Sequence, residues 1–261
     1  MTHSDFPCQR FMGQNVIITG ASEGIGKATA VRLANEGANL TINARNPEQL
    51  DQIVSQLTLV NPNIIAVAGD ITSQQTVDQL ASTSRDTFGL TTILINNVGG
   101  GSMPCQLEDI DDEQWVSNLN TNLTTSFRMC RAVVQDMKTK RYGRIVNVSS
   151  VAGRFRGNLS GTPYSTAKAG LHGLTRDLAS RLGQYGITVN AAAPGITATP
   201  RAMTKWQEIS ENSRKKINES ISLGRFAEPE EIAAAIAFLA SDDASYVTGA
   251  TLDINGGIWM G

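Results

Sequence analysis

The run Asn15-Val16-Ile17-Ile18-Thr19-Gly20-Ala21-Ser22-Glu23-Gly24-Ile25-Gly26 decides the fold. Asn15–Thr19 is short and β-rich, and Lys27 to Glu36, directly after the glycines, has helical character. A strand that turns through glycines into a helix is the opening unit of a doubly wound sheet, and such a turn suits a pyrophosphate. Gly20 permits the tight turn, Gly24 lets the backbone approach phosphate, and Gly26 lets helix and strand pack closely; the helix N-terminus supplies free N–H donors. The spacing is Gly-x-x-x-Gly-x-Gly rather than Gly-x-Gly-x-x-Gly. A ligand-free glycine-rich turn is a second reading of these residues. A third is Gly-x-Ser-x-Gly, the nucleophile elbow of a serine hydrolase with Ser22 as nucleophile. Only one strand's worth of chain precedes Ser22, and His172 is the one reasonable downstream base, which counts against the hydrolase.

Working outward, β-rich runs alternate with longer helical patterns. Leu40–Asn43, Ile64–Val67, Ile93–Asn96, Arg144–Val148, Ile187–Asn190 and Thr251–Ile254 read as further strands. Such alternation predicts a single-domain α/β fold: a doubly wound, Rossmann-type parallel sheet with helices on both faces and ligands at the carboxyl ends of the strands. Residues 1–10 read as a peripheral tail and 11–261 as one domain. Within it, Thr199 to Leu223 forms a polar, charged, helical insertion expected to act as a substrate lid.

Composition narrows the partners. The 22 basic against 24 acidic residues leave a formal charge of -2, so no global basic field recruits nucleic acid or an anionic membrane. The longest aliphatic run, Ile232 to Ala240, is far short of a membrane span, and the first residues lack the pattern of a signal peptide. A soluble, cytoplasmic protein is expected. Cys8, Cys105 and Cys130 are widely spaced and match neither a disulfide framework nor a metal-ligand pair; with only His3 and His172, no histidine-rich metal site is expected.

Tyr164 and Lys168 stand four residues apart, on one face if the segment is helical, downstream of Ser149-Ser150. An ammonium ~4 Å from a phenol, at an effective dielectric of ~20, contributes roughly 4 kcal/mol, which would bring a tyrosine down by about three pKa units into the working range for acid–base chemistry. The alternative is an amphipathic helix with a surface lysine one turn from a half-buried tyrosine.

The glycine spacing, Asn96-Asn97-Val98-Gly99, Ser150, Tyr164-x-x-x-Lys168 and Pro194-Gly195, in this order over residues 11 to 257, resemble the short-chain dehydrogenase/reductase family, in its 3-oxoacyl-carrier-protein reductase-like branch. Val98 departs from the alanine usual there. The resemblance implies hydride transfer between a nicotinamide cofactor and a ketone or secondary alcohol. It assigns Tyr164 to the proton, Lys168 to tuning Tyr164 and holding the nicotinamide ribose, Ser150 to the substrate oxygen and Asn122 to a water relay, with Asn118 and Asn120 as competitors for that last place. It also implies cofactor contacts from Gly20, Ser22, Gly24, Ile25, Gly26, Asn97, Tyr164, Lys168, Pro194, Gly195, Thr197 and Thr199, and adenine contacts from Asp70 and Ile71; Asp70 could instead cap the following helix.

Ala44 stands where NAD-preferring relatives carry an acid, and the Arg45 guanidinium after it suits a 2′-phosphate, so NADPH is expected over NADH although Glu23 opposes that reading. Arg154 and Arg156 are candidates to attract an anionic or carrier-linked ketone. The helical segments Asp111–Lys138 and Thr162–Tyr185 resemble the family's dimer-forming helices, and the Gly256–Met260 end suits another contact, implying a homotetramer. A non-catalytic dinucleotide-binding protein is the alternative in which Tyr164 and Lys168 do no chemistry.

Overall fold

Strand β1 (Asn15–Thr19) sends Val16 and Ile18 into one hydrophobic core and Ile17 into another, because successive strand side chains point to opposite faces. The same division recurs in β4 (Ile93–Asn96), where Ile93 and Ile95 face one core and Leu94 the other. Strands apolar on both faces must be covered on both. The structure, a computed structural model, describes residues 9–101, 104–155 and 160–261. Its sheet has the order β3-β2-β1-β4-β5-β6-β7, all parallel. The other strands are β2 (Asn39–Ala44), β3 (Ile64–Ala68), β5 (Gly143–Val148), β6 (Ile187–Pro194) and β7 (Thr251–Ile254).

One core gathers Leu33 of α1 (Gly24–Asn35), Leu50 and Ile53 of α2 (Pro47–Leu57), and Ile232 and Ile236 of the helix Pro229–Ala240. The opposite core gathers Val77 and Leu80 of α3 (Gln74–Phe88), with Met129, Val133 and Met137 from the helix Thr125–Lys140 and Leu182 from the helix Thr162–Leu182. The chain winds outward from β1 to β3 and then returns to β4 beside β1. The switch point therefore lies between the ends of β1 and β4, at Thr19 and Asn96.

Two elements differ from the sequence reading. The single helix expected over Asp111–Lys138 is α4 (Asp112–Leu119), one π-helical turn (Asn120–Thr124), then α5 (Thr125–Lys140). β6 runs four residues past Asn190 to Pro194, pairing Ala191–Pro194 with β7. Alanine carries little β propensity, but Ala191, Ala192 and Ala193 are fully buried, and burial extends the strand. The remaining helices are α6 (Thr162–Leu182), α7 (Pro200–Glu208), α8 (Glu211–Glu219) and α9 (Pro229–Ala240).

Arg10 is anchored to Glu36 at 2.6 Å and Asp243 at 3.1 Å, and Arg32 also pairs with Glu36. Burial alone would raise the Glu36 carboxyl, but the two guanidiniums outweigh it and hold it below its ordinary value. Cys105 and Cys130 are free thiols; Cys8 and His3 lie outside the described residues. Among the described residues no helix is long and apolar enough to cross a membrane, and no cluster of three His, Cys, Asp or Glu is placed to hold a metal.

Candidate active site

The glycine loop leaves β1 at the switch point and enters α1 at Gly24. Gly20 and Gly24 have φ of +67° and +54°, the left-handed region that favours glycine. At Gly26 a Cβ would overlap the Gly20 carbonyl oxygen and sit 2.5 Å from Asn97 Nδ2. That nitrogen donates to the Thr19 and Gly20 carbonyls at 3.1 and 2.9 Å, so Asn97 ties the end of β4 to the loop. Val98 packs against Gly20, with Cγ2 3.0 Å from where a Cβ would be. Glu23 occupies the N-cap of α1 without a side-chain capping bond, leaving the first-turn N–H groups to an anion. A pyrophosphate fits this loop.

The loop after β2 faces it. Arg45 is exposed and lines an open cavity of about 620 Å³ with Ser22, Glu23 and Asn46. Neither Arg45 nor Glu23 forms an ion pair with another described residue. Asp70 does not cap α3: Ser73 is the N-cap, while Asp70 Oδ1 accepts from the Thr72 amide and hydroxyl, both at 2.9 Å, closing a turn. Ile71 is buried in the core beneath. Across the cleft, Gly195 packs so tightly on Asn255 that a Cβ would lie 2.7 Å from its Cα. Thr197 is buried beside it, its hydroxyl donating to the Gly195 carbonyl at 3.3 Å. Thr199 caps α7, accepting from the Ala202 amide at 3.2 Å, and its methyl abuts Gly24. Pro194 closes β6 directly before this turn.

Ser150, Tyr164, Lys168 and Asn122 converge where β5, α6 and the π turn meet. Of the serine pair, Ser149 is buried and structural: its hydroxyl donates to the Lys168 carbonyl at 2.9 Å and meets His172 Nε2 at 3.1 Å. Ser150 Oγ accepts from the Ala152 amide at 3.1 Å and faces the Tyr164 phenol. Asn122 is fully buried; its Oδ1 accepts from the Gly100 amide at 2.9 Å, and its Nδ2 donates to the carbonyls of Gly100 at 3.2 Å and Asn118 at 3.0 Å. This separates Asn122 from Asn118 and Asn120, whose side chains make no such bridge. A Cβ on Gly99 would sit 2.8 Å from Lys168 Nζ and 3.0 Å from Asn122 Oδ1, so glycine keeps open the space between them.

The electrostatics depart from the simple i,i+4 picture. Lys168 Nζ donates to the Val148 carbonyl at 2.8 Å and lies 5.7 Å from the Tyr164 ring centre, and burial pushes the ammonium down to about 7. Burial raises the Tyr164 phenol, while the hydrogen bond from Ser150 and the charge of Arg201 pull it back only in part. The expected lowering of Tyr164 by Lys168 is absent because the ammonium is directed at β5. The downward pull comes from Ser150 and Arg201 instead.

Arg201 was invisible to sequence reasoning, as was Lys205. Both sit on α7 and reach carbonyls of Gly99–Gly101, about a hundred residues upstream, so no local pattern marks them. Arg154, by contrast, is not available to a substrate: it pairs with Asp253 at 3.2 Å and stacks 4.3 Å from the Trp259 ring centre. Arg156, the other candidate to attract an anionic ketone, lies outside the described residues. His172 is held by Ser149 and by Thr251 at 2.9 Å, which removes it as a base for Ser22 and with it the hydrolase reading.

A family model described as Enoyl-(Acyl carrier protein) reductase matches residues 20–259. The chain is 39% identical over 248 residues to 3-oxoacyl-[acyl-carrier-protein] reductase FabG of Pseudomonas aeruginosa, covering 95% of this chain and 98% of that protein. This protein is a short-chain dehydrogenase/reductase. Two solved structures are similar throughout. Levodione reductase has a TM-score of 0.88 at 35% identity, covering 95% of this chain and 98% of its own. YwfH, an NADPH-dependent reductase involved in bacilysin biosynthesis, has a TM-score of 0.89 at 27% identity, covering 95% and 99%. The enzyme is accordingly an oxidoreductase that uses a nicotinamide cofactor in carbonyl/alcohol hydride transfer, and a non-catalytic dinucleotide-binding role is not favoured.

Proposed function

We propose that the enzyme reduces a small-molecule ketone with NADPH, using Tyr164 as proton donor, Ser150 to hold the carbonyl oxygen, and Lys168 with Asn122 to resupply the proton. The observation that carries this reading is the convergence of these four side chains around Gly99–Gly101 and the end of β5. When bound, the nicotinamide ring supplies the hydride. Because burial keeps the Tyr164 phenol protonated at neutral pH, the resting site holds the form that reduction requires; alcohol oxidation needs the phenolate and should rise with pH. Lys168, with a pKa of about 7, can both give and take a proton near neutrality, and the gap kept open by Gly99 joins it to Asn122.

Supporting the cofactor assignment, Gly20, Ser22, Gly24, Ile25 and Gly26 would cradle the pyrophosphate. Asp70 and Ile71 would meet the adenine, Asn97 would stand by the glycine loop beside the adenine ribose, and Pro194, Gly195, Thr197 and Thr199 would enclose the nicotinamide end. The unpaired Arg45 at the rim supports a preference for the 2′-phosphate of NADP. The segment 199–223, seated on Gly24 and Gly99–Gly101, would act as the lid. Exposed Val116 and Phe127 on α4 and α5 support burial of apolar surface there in a homotetramer. Tyr164→Phe is the test: cofactor binding should persist while ketone reduction falls by roughly 10²–10⁴. Near-normal reduction by this variant would remove the mechanism.

A further inference from the structure

Two cations on α7 lie across the mouth of the site. Arg201, on the first turn, directs Nη1 at the Gly99 carbonyl and Nη2 at the Gly101 carbonyl, both at 3.4 Å; Lys205, one turn on, donates Nζ to the Gly101 carbonyl at 3.0 Å. The glycine run is shaped to them. A Cβ on Gly100 would overlap the Arg201 guanidinium, and one on Gly101 would lie 3.4 Å from the Tyr164 ring. Arg201 is thus one glycine layer from the phenol, close enough for its charge to act on it.

Among the described residues neither cation forms an ion pair. The carboxylate acting on Lys205 is Glu208 of the same helix, beyond ion-pair distance. Like charges one turn apart on a helix repel weakly, and an anion between them would turn that repulsion into attraction. Carbonyl oxygens at 3.4 Å are weak partners for a guanidinium, whose planar fork matches a carboxylate.

We propose that Arg201 and Lys205 are the receptor for a carboxylate carried by the substrate, making the enzyme selective for keto acids. This rests on the ketone-reduction reading above and names its substrate class. Proximity to Tyr164 sets the spacing: the carboxylate must lie a few bonds from the reacting carbonyl. The phosphate of a long carrier arm, many bonds from its carbonyl, is a poorer match to that short spacing.

The test compares acetoacetate and pyruvate with their methyl esters, which keep the ketone and remove the charge. Wild-type enzyme saturated with NADPH should show higher kcat/KM for each acid than for its ester. Arg201→Gln combined with Lys205→Gln should lower that acid-to-ester ratio roughly ten- to a hundredfold, chiefly through KM, with Lys205→Gln alone producing a smaller fall. Because the ratio is taken within one variant, partial misfolding cancels. Calorimetric binding of acetoacetate to NADP-loaded Tyr164→Phe enzyme should weaken by a similar factor when Arg201→Gln is added, independently of turnover. Acids reduced no better than esters, or a ratio unmoved by the double substitution, would overturn the receptor while leaving ketone reduction in place. Failure to reduce any of the four compounds, with no acetoacetate binding, would also overturn the receptor; only a further failure on uncharged cyclic and aliphatic ketones would overturn ketone reduction as well.

Discussion

Replacing Lys168 with methionine should make the fold more stable at neutral and acidic pH while abolishing turnover. The ammonium is 2% exposed, has one close hydrogen-bond partner, the Val148 carbonyl, and is held at about 7 against an ordinary 10.5 by burial. At about 1.4 kcal/mol for each pKa unit, keeping the proton on this buried nitrogen below pH 7 costs the fold on the order of 5 kcal/mol. Methionine, similar in length and apolar, removes that cost but forfeits the charged hydrogen bond, worth about 1.5–3 kcal/mol. The net gain is roughly 2–3.5 kcal/mol below pH 7. Between pH 7 and 10.5 the unfolded chain binds a proton at Lys168 that the folded chain has released, so wild-type stability climbs through that window. The advantage of the variant should shrink accordingly and vanish on the alkaline side. Urea unfolding of both proteins, at one protein concentration and from about pH 5.5 to about pH 9.5, measures this directly. A wild type more stable than Lys168→Met at pH 6, or a difference that does not change with pH, would refute the reasoning.

Gly26→Ala should destabilise the enzyme by about 1–3 kcal/mol and weaken cofactor binding, since the new methyl meets the Gly20 carbonyl and Asn97 Nδ2; thermal unfolding and NADPH titration report the two effects. Arg45→Asp should narrow or reverse the preference for NADPH over NADH, read as the ratio of kcat/KM for the two cofactors. Burial, with the charges of Arg154, Arg176 and Lys168, holds His172 at about 4 against an ordinary 6.5, so its contribution to stability is intact above pH 6.5 and lost as pH falls toward 4. His172→Gln should flatten that acid limb in a pH series of denaturation midpoints.

The glycine loop and the strand ends were legible because their causes are local. Positive φ at Gly20 and Gly24 and the β-rich runs of β1, β4 and β7 are written in neighbouring residues. Tyr164 and Lys168 were legible as a pair for the same reason, being one helical turn apart on α6. What Lys168 does there was not, because its ammonium is claimed by a carbonyl of β5, twenty residues upstream. The end of β6 was hidden by three alanines whose strand character comes from being enclosed rather than from their own preference. Arg201 and Lys205 read as solvated charges in a polar helix until α7 is folded back over Gly99–Gly101.

The π turn at Asn120–Thr124 lets the long helical connection carry a surplus residue without turning its two flanks. A π turn holds one residue more than the α-helical turn it replaces, and that surplus falls where Asn122 meets Gly100. Deleting a single residue here would let α4 and α5 fuse into one regular helix that faces its neighbours as before, but it would remove the bulge that carries Asn122 to Gly100. Homologues of differing length should therefore gain and lose residues in the loop before α4, where Pro104 to Asp109 are exposed, and not inside the helix. The irregular turn thus separates two tasks of the segment: α4 and α5 keep their packing with or without the surplus residue, and the bulge alone decides whether Asn122 meets Gly100.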